Sequence, residues 1–326
     1  MRQIEYGPDP GPDSMRIAQA ARPEPAAGDI LIEVHFAGVN GPDLAQRQGR
    51  YPAPPGASPV LGLEVAGHVV ELGTGVTQWQ VGDAVTALVP GGGYAEYCVT
   101  AASHALPVPA GLTLAQAAAL PENWFTVWAN LVDRANLKSG ERVLIHGGSS
   151  GIGLAAIALA RLRGAHAYVT VGNPAKVQFC LQSGAEAAID YRQEDFVARI
   201  RQVTDKDGVD VVLDMVGGPY LQKNVSVLKR DGRLVQIAFQ QGSKVEFDFM
   251  PVMIKRLVIT GSTMRPRSRE EKAAIRDALR LHVWPALDSG AIKPHLFGIY
   301  PLEKASEAHR VMESSQHIGK LVLQLR

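Results

Sequence analysis

The chain has 326 residues, 46% of them apolar, with a formal net charge of +1 and two cysteines. At roughly 100–200 residues per domain this length predicts two domains, with apolar content enough for large cores. The near-neutral charge excludes a general pull toward nucleic acid or anionic membrane, and no apolar run approaches the ~18 residues that span a bilayer. Met1 to Gly11 is polar and rich in proline and glycine, without the apolar run of a secretory signal. Cys98 and Cys180 form neither a disulfide framework nor a zinc-finger spacing. A cytoplasmic protein with two free thiols is the expectation.

The first third reads as short strands broken by glycine. These are Ile30 to Phe36, Val65 to Leu72, Ala84 to Leu88 and Tyr94 to Val99, with the run Gly91-Gly92-Gly93 between the last two. Many short strands with Gly/Pro turns predict a compact β-barrel or sandwich. Thr113-Leu114-Ala115-Gln116 fits a capping box that opens a short Ala-rich helix ending near Pro121. A second helix is predicted over Trp124 to Asn136.

The pattern then changes to alternating strands and helices. Arg142-Val143-Leu144-Ile145 is a continuous apolar run, as expected of a strand buried on both faces. It leads through Gly147-Gly148-Ser149-Ser150-Gly151-Ile152-Gly153 into an apolar helix, Leu154 to Ala160. Strands at Ala167 to Val171, Ala187 to Asp190, Val209 to Leu213, Arg233 to Ala238 and Leu257 to Thr260 follow. Helices at Ala175 to Ser183, Glu194 to Val203 and Tyr220 to Leu228 lie between them. Such alternation demands a mainly parallel sheet covered by helices, an α/β fold. Arg269 to Ser289 reads as helical, with Pro285 near its end. The last strand, Ile318 to Leu325, finds no partner nearby in sequence and must return to the first domain. The β-rich domain is therefore expected to be discontinuous, 1–122 plus 265–326, with 123–264 inserted.

A strand, a tight Gly/Ser turn and a helix start make an anion site, because backbone N–H groups and the helix dipole face the ligand. Gly148, Gly151 and Gly153 give a G-x-x-G-x-G spacing rather than the usual G-x-G-x-x-G, but the turn follows a buried strand and starts a βαβ series. An NAD site places Asp or Glu at the end of the next strand to hold the ribose hydroxyls. Here that position reads Val171-Gly172-Asn173, and Lys176, Tyr191 and Arg192 lie nearby. A small residue leaves room for a 2′-phosphate, and cations with a hydroxyl donor suit one. NADPH is expected over NADH.

Several blocks carry a wider resemblance. They include Gly38-Val39-Asn40-Gly41-Pro42-Asp43-Leu44, Leu61-Gly62-Leu63-Glu64, Pro90-Gly91-Gly92-Gly93, Pro121-Glu122, Asp214-Met215-Val216-Gly217-Gly218 and Ile318-Gly319-Lys320. In this order they resemble the medium-chain dehydrogenase/reductase superfamily, and more closely its zinc-free quinone oxidoreductases. The resemblance implies a GroES-like β-barrel domain, a Rossmann doubly wound parallel-sheet domain, and NADPH in a cleft between them. It puts the pyrophosphate on Ser149, Ser150, Gly151 and Ile152, and the adenosine end on Gly172, Asn173, Lys176 and Tyr191. Phe239, Gln240, Thr263 and Arg265 would lie near the nicotinamide, with Tyr51, Thr126, Val216, Gly217, Met264 and Lys320 completing the set. It also implies a homodimer through the sheet edge at Leu257 to Ser262, an apolar edge that needs cover. Ser150 departs from many relatives, which have glycine there.

Zinc relatives test the metal question. Catalytic zinc takes three protein ligands. Where those relatives carry a ligating cysteine this chain has Asn40, and Leu63 stands in place of their histidine. No metal is expected. Hydride transfer without metal suits a quinone or enone, which is activated by its own conjugation and needs mainly positioning against the nicotinamide. Tyr51 is the candidate donor to the developing oxyanion, with Asn40 and Asp43 shaping the pocket. No dedicated general acid is expected, since a hydroquinone anion can take protons from water. A reductase of α,β-unsaturated carbonyls or enoyl thioesters is the enzymatic alternative. An NADPH-binding crystallin or RNA-binding protein is the alternative of another class, although the sequence has no aromatic-basic surface motif.

Overall fold

The computed structural model describes all 326 residues, which divide into two units: Met1–Phe125 with Arg265–Arg326, and Thr126–Met264.

In the second unit six parallel strands lie in the order Ala187–Asp190, His166–Val171, Arg142–His146, Val209–Asp214, Leu228–Gln236, Val258–Gly261. This is the doubly wound order in which the chain runs outward from Arg142–His146 one way, then restarts beside it with Val209–Asp214 and runs the other way. Ligands of such sheets bind where the order reverses, beyond the carboxyl ends of those two strands. Val143, Leu144, Ile145, Val211, Val212 and Leu213 are all fully buried, which is why both strands read as unbroken apolar runs. Helices Gly151–Leu162, Pro174–Gln182, Phe196–Val203 and Tyr220–Val227 connect the strands.

In the first unit the long strand Asp29–Val39 is the hub. It pairs antiparallel with Glu64–Leu72, Tyr97–Ala101 and Lys320–Gln324. The core gathers Ile30, Ile32, Val34, Val65, Val69, Leu321 and Leu323, residues of one face of these strands, with Val85 of the neighbouring strand Ala84–Leu88. The last strand does return here from the chain's end, with Leu321 opposite Val39. It is not alone, however. Leu296–Pro301 pairs with it in parallel and forms the sheet edge.

Other differences from expectation are local. Pro121 starts a helix, Pro121–Val127, rather than ending one, because proline is pre-organised for a first helical turn. The helix continues as a π-helical segment, Trp128–Arg134. The expected helix over Arg269 to Ser289 breaks at Val283 into Arg269–His282 and Trp284–Asp288. Tyr94 precedes its strand rather than opening it. The N-terminal segment forms a hairpin, Arg2–Tyr6 with Met15–Gln19.

Candidate functional site

In the second unit the glycine-rich turn is built around close packing. A methyl group on Gly153 would lie 2.4 Å from the carbonyl oxygens of Gly147 and Gly148, so only glycine lets the helix start so near the strand's end. Ser150 is the helix N-cap: its Oγ accepts the Gly153 N–H at 3.0 Å. That explains serine where relatives carry glycine. The first N–H groups of a helix have no intrahelical acceptor, so Gly151 and Ile152 present theirs beyond the sheet, beside the buried Ser149.

At the end of the next strand the room above Gly172 is not empty. A methyl there would sit 2.7 Å from Tyr191 Oη, so the glycine makes space for the tyrosine hydroxyl rather than for a phosphate directly. Asn173 caps the following helix, accepting the Lys176 N–H at 2.9 Å. Lys176 is buried, and its proton affinity is lowered by that burial and then by the charge of Arg192. Two cations thus lie close enough to repel, a cost that an anion beside them would relieve.

On the other side of the reversal point Asp214 accepts N–H groups from Val216 at 2.6 Å and Gly217 at 3.2 Å. The next loop straps onto this one: Gln240 donates to the Met215 carbonyl and Gln241 to that of Val216. Phe239 is 52% exposed and rests against Gly217. His146 is fully buried and sits second to this loop. Its Nε2 faces Asn224 Oδ1, which only accepts, so Nε2 carries the proton while Nδ1 accepts from Thr170. Thr126 is partly exposed on the helix Pro121–Val127 and accepts from Asn130 through its carbonyl. Thr263 and Met264 follow the edge strand, and Met264 is buried.

The first unit holds a buried polar cluster. The Lys320 ammonium donates to the carbonyl of Val39 at 3.1 Å, to Asn40 Oδ1 at 2.6 Å and to Glu64 Oε1 at 2.5 Å. An ammonium has three donors, so Lys320 keeps none for a cofactor phosphate. Glu64 also accepts from the Asn40 side chain at 2.9 Å and, through Oε2, from the Glu122 N–H at 2.9 Å. Asp43 closes a capping box with Asn40 and accepts the Gly62 N–H. Burial pushes its carboxyl up to about 7 against those donors.

Asp43 is also the end of a directed chain. Arg47 can only donate, so His309 Nδ1 accepts from it, Nε2 donates to Tyr94 Oη at 3.1 Å, and Tyr94 faces Asp43 Oδ2 at 3.4 Å. The sequence reading missed Arg47, Tyr94 and His309, whose separations of up to 262 residues leave no local signal.

Tyr51 lies in the loop after the helix Gly41–Arg47, and the Arg265 guanidinium carbon is 5.7 Å from its ring centre. Arg265 donates through Nε to the Pro90 carbonyl at 2.8 Å, while its buried Nη2 has no partner. Burial, then the Glu122 charge, raises the proton affinity of the Tyr51 phenol. Asn40 and Asp43 are joined to each other by the capping box, and Tyr51 follows the same helix. Of these, Tyr51 retains partial exposure, while Asn40 and Asp43 are buried.

Two family models match the chain: an alcohol dehydrogenase GroES-like domain over residues 26–110 and a zinc-binding dehydrogenase over residues 151–280. The quinone oxidoreductase of Homo sapiens is 31% identical over 328 residues, covering 100% of this chain and 97% of that protein. A mycocerosic acid synthase-like polyketide synthase of Mycobacterium tuberculosis is 34% identical over 311 residues, but the chain spans only 15% of its length. Among solved structures, Escherichia coli quinone oxidoreductase complexed with NADPH matches with a TM-score of 0.88 at 30% identity, each chain fully covered. The JamJ enoyl reductase matches with a TM-score of 0.89 at 25% identity, over 100% of this chain and 99% of that one.

Proposed function

The chain belongs to the medium-chain dehydrogenase/reductase superfamily of oxidoreductases, and within it we propose a zinc-independent reductase that uses NADPH to deliver hydride to quinones. The observation that carries this reading is the ammonium of Lys320, lodged between Asn40 and Glu64. The donor set there does not fit zinc. Asn40 and Glu64 already hold a cation, Leu63 offers no ligand, and no group of three His, Cys, Asp or Glu residues is placed to hold a metal. An acceptor that reacts here must be electrophilic without a Lewis acid, and a quinone is.

The dinucleotide fits the second unit. Gly151 and Ile152 direct N–H groups at a pyrophosphate. Lys176, Arg192 and Tyr191 gather where a 2′-phosphate belongs, and no carboxylate opposes it at Gly172. When bound, NADPH supplies the hydride. Phe239 and the Val216–Gly217 loop flank the nicotinamide end, with Thr126, Thr263 and Met264. In the first unit Tyr51 and Arg265 orient the acceptor, and Asn40 and Asp43 hold that wall rigid. The JamJ enoyl reductase is similar over the whole chain and favours a second reading, reduction of α,β-unsaturated carbonyls by the same hydride chemistry. A small-molecule acceptor, no nucleic acid and a homodimer complete the proposal.

The test is turnover of 1,4-benzoquinone and of an enone series with NADPH and with NADH. A strong preference for NADPH is expected. Lys176→Ala should weaken NADPH binding by about 10-fold or more, since a hydrogen bond to a charged group is worth ~1.5–3 kcal/mol. NADH use should hardly change. Equal loss with both cofactors would remove Lys176 from the phosphate site, and no turnover of any acceptor would end the reductase reading.

A further inference from the structure

We propose that Glu122 is the proton donor of the reaction, delivering a proton to the acceptor oxygen as hydride arrives. The assignment rests on the reductase reading above. Three carboxyl groups meet in the first unit, and they are not equivalent. Glu64 and Asp43 are both fully buried. Glu64 is occupied by Lys320, Asn40 and the Glu122 N–H, and Asp43 by the Asn40 and Gly62 N–H groups and Tyr94. Glu122 alone of the three keeps partial solvent exposure, and no ion pair holds it. Its backbone is tied to Glu64 at 2.9 Å, which fixes where its side chain starts.

The charges facing Glu122 come from several elements. Glu64 and Asp43 repel its negative form from behind, while Lys320 and Lys272 favour it. Tyr51 and Arg265 are both close enough to feel its charge. Arg265 is only 7% exposed, and its buried Nη2 lacks an acceptor. A buried guanidinium N–H without a partner is costly and points to an anionic oxygen as the missing one. A carboxyl without an ion pair thus acts electrostatically on a phenol and on a cation with an unsatisfied N–H, which themselves lie 5.7 Å apart. Burial first, then Glu64 and Asp43, push the Glu122 carboxyl up to about 8, so it carries its proton at neutral pH.

The step balances. As the acceptor takes up hydride, two electrons and one hydrogen nucleus arrive and a π-bond pair moves onto oxygen. The O–H bond of Glu122 breaks as the product O–H bond forms. The carboxylate left behind regains a proton from water, which the residue's partial exposure admits. NADPH, one solvent proton and a quinone give NADP⁺ and a hydroquinone.

The experiment is the pH profile of kcat/KM with 1,4-benzoquinone, joined to infrared titration of protonated carboxyl groups in the cofactor-free protein. In the unmodified protein the rate should fall above about pH 8, and a protonated-carboxyl band absent from Glu122→Gln should vanish over the same range. Glu122→Gln should lower the neutral rate by ~10²-fold or more and lose the alkaline limb. Glu122→Asp should keep the limb at a reduced rate. A Glu122→Gln rate within about twofold of the parent with the limb intact would overturn the assignment and leave the reductase reading standing, because general acids contribute ~10²-fold or more. An unmodified protein that shows the band but reduces no quinone or enone would overturn the reductase reading, and the assignment with it. A missing band would overturn the assignment even if Glu122→Gln proved unstable.

Discussion

Lys320 shows how one residue decides what chemistry a site can host. The residue is 4% exposed, and its ammonium meets a carboxylate, an amide oxygen and a backbone carbonyl. Taking the charge out of water costs several kcal/mol, and the partners offset this only while all remain. Lys320→Met would leave Glu64 buried without a counter-ion, since Asn40 gives it only a neutral hydrogen bond. The expected loss is ~3–5 kcal/mol in urea unfolding, with much of it recovered in the Lys320→Met, Glu64→Gln pair. A loss below about 1 kcal/mol would mean the pair behaves like an exposed one. Half of this cluster was legible in the sequence. Asn40 and Leu63 stand out because they replace ligand types at known positions. What could not be read was that residues 43, 64, 122 and 320 meet, because that follows from strand pairing across the whole chain. Glu122 was accordingly assigned no role.

At the scale of elements, the parallel sheet was the most legible part, because strands buried on both faces are apolar without interruption and the intervening helices are amphipathic. Elements whose signal is weak were missed. The hairpin Arg2–Tyr6 with Met15–Gln19 is polar and only partly buried, and Leu296–Pro301 alternates with Phe297 and Ile299 pointing outward. The edge strand Val258–Gly261 has an unpaired side, with Val258 52% and Ile259 40% exposed. Met253 and Ile254, 69% and 60% exposed, extend the apolar surface from the preceding helix. An open edge this apolar invites pairing, and a two-fold axis would let two copies satisfy each other with the same strand. Light scattering should give the mass of a dimer. Ile259→Lys, which sets a charge on the edge, should shift it toward monomer with little loss of secondary structure by circular dichroism. A parent protein of monomer mass at micromolar concentration would refute the edge as an interface.

For the molecule as a whole, the buried titratable groups of the first unit set how stability follows pH. His309 is pushed down to about 3 by burial and by Arg47, and His104 to about 4 by burial and Lys272. Asp43 is pushed up to about 7 and Glu122 to about 8, both by burial first. The signs oppose. Below the ordinary histidine value of ~6.5 the unfolded chain binds the histidine protons that the fold refuses, so their contribution is present above that pH and is lost as pH falls toward 3–4. The carboxyls act the other way. Between their ordinary values of ~4 and their raised ones the fold holds protons that the unfolded chain releases, so stability declines as pH rises. From ~4 to 6.5 the two effects offset each other, and above 6.5 only the carboxyls act. Neither cysteine masks this window, since burial drives both thiols up to about 12. Calorimetry should therefore find a lower Tm at pH 8 than at pH 6.5, and Glu122→Gln should make the decline shallower by removing one of the two protons involved. A Tm that stays level or rises across this interval would show that neither carboxyl holds its proton in the folded protein. Asp43 and Glu122 would then both carry negative charge at neutral pH, with Lys320 near both and Lys272 near Glu122 to balance them.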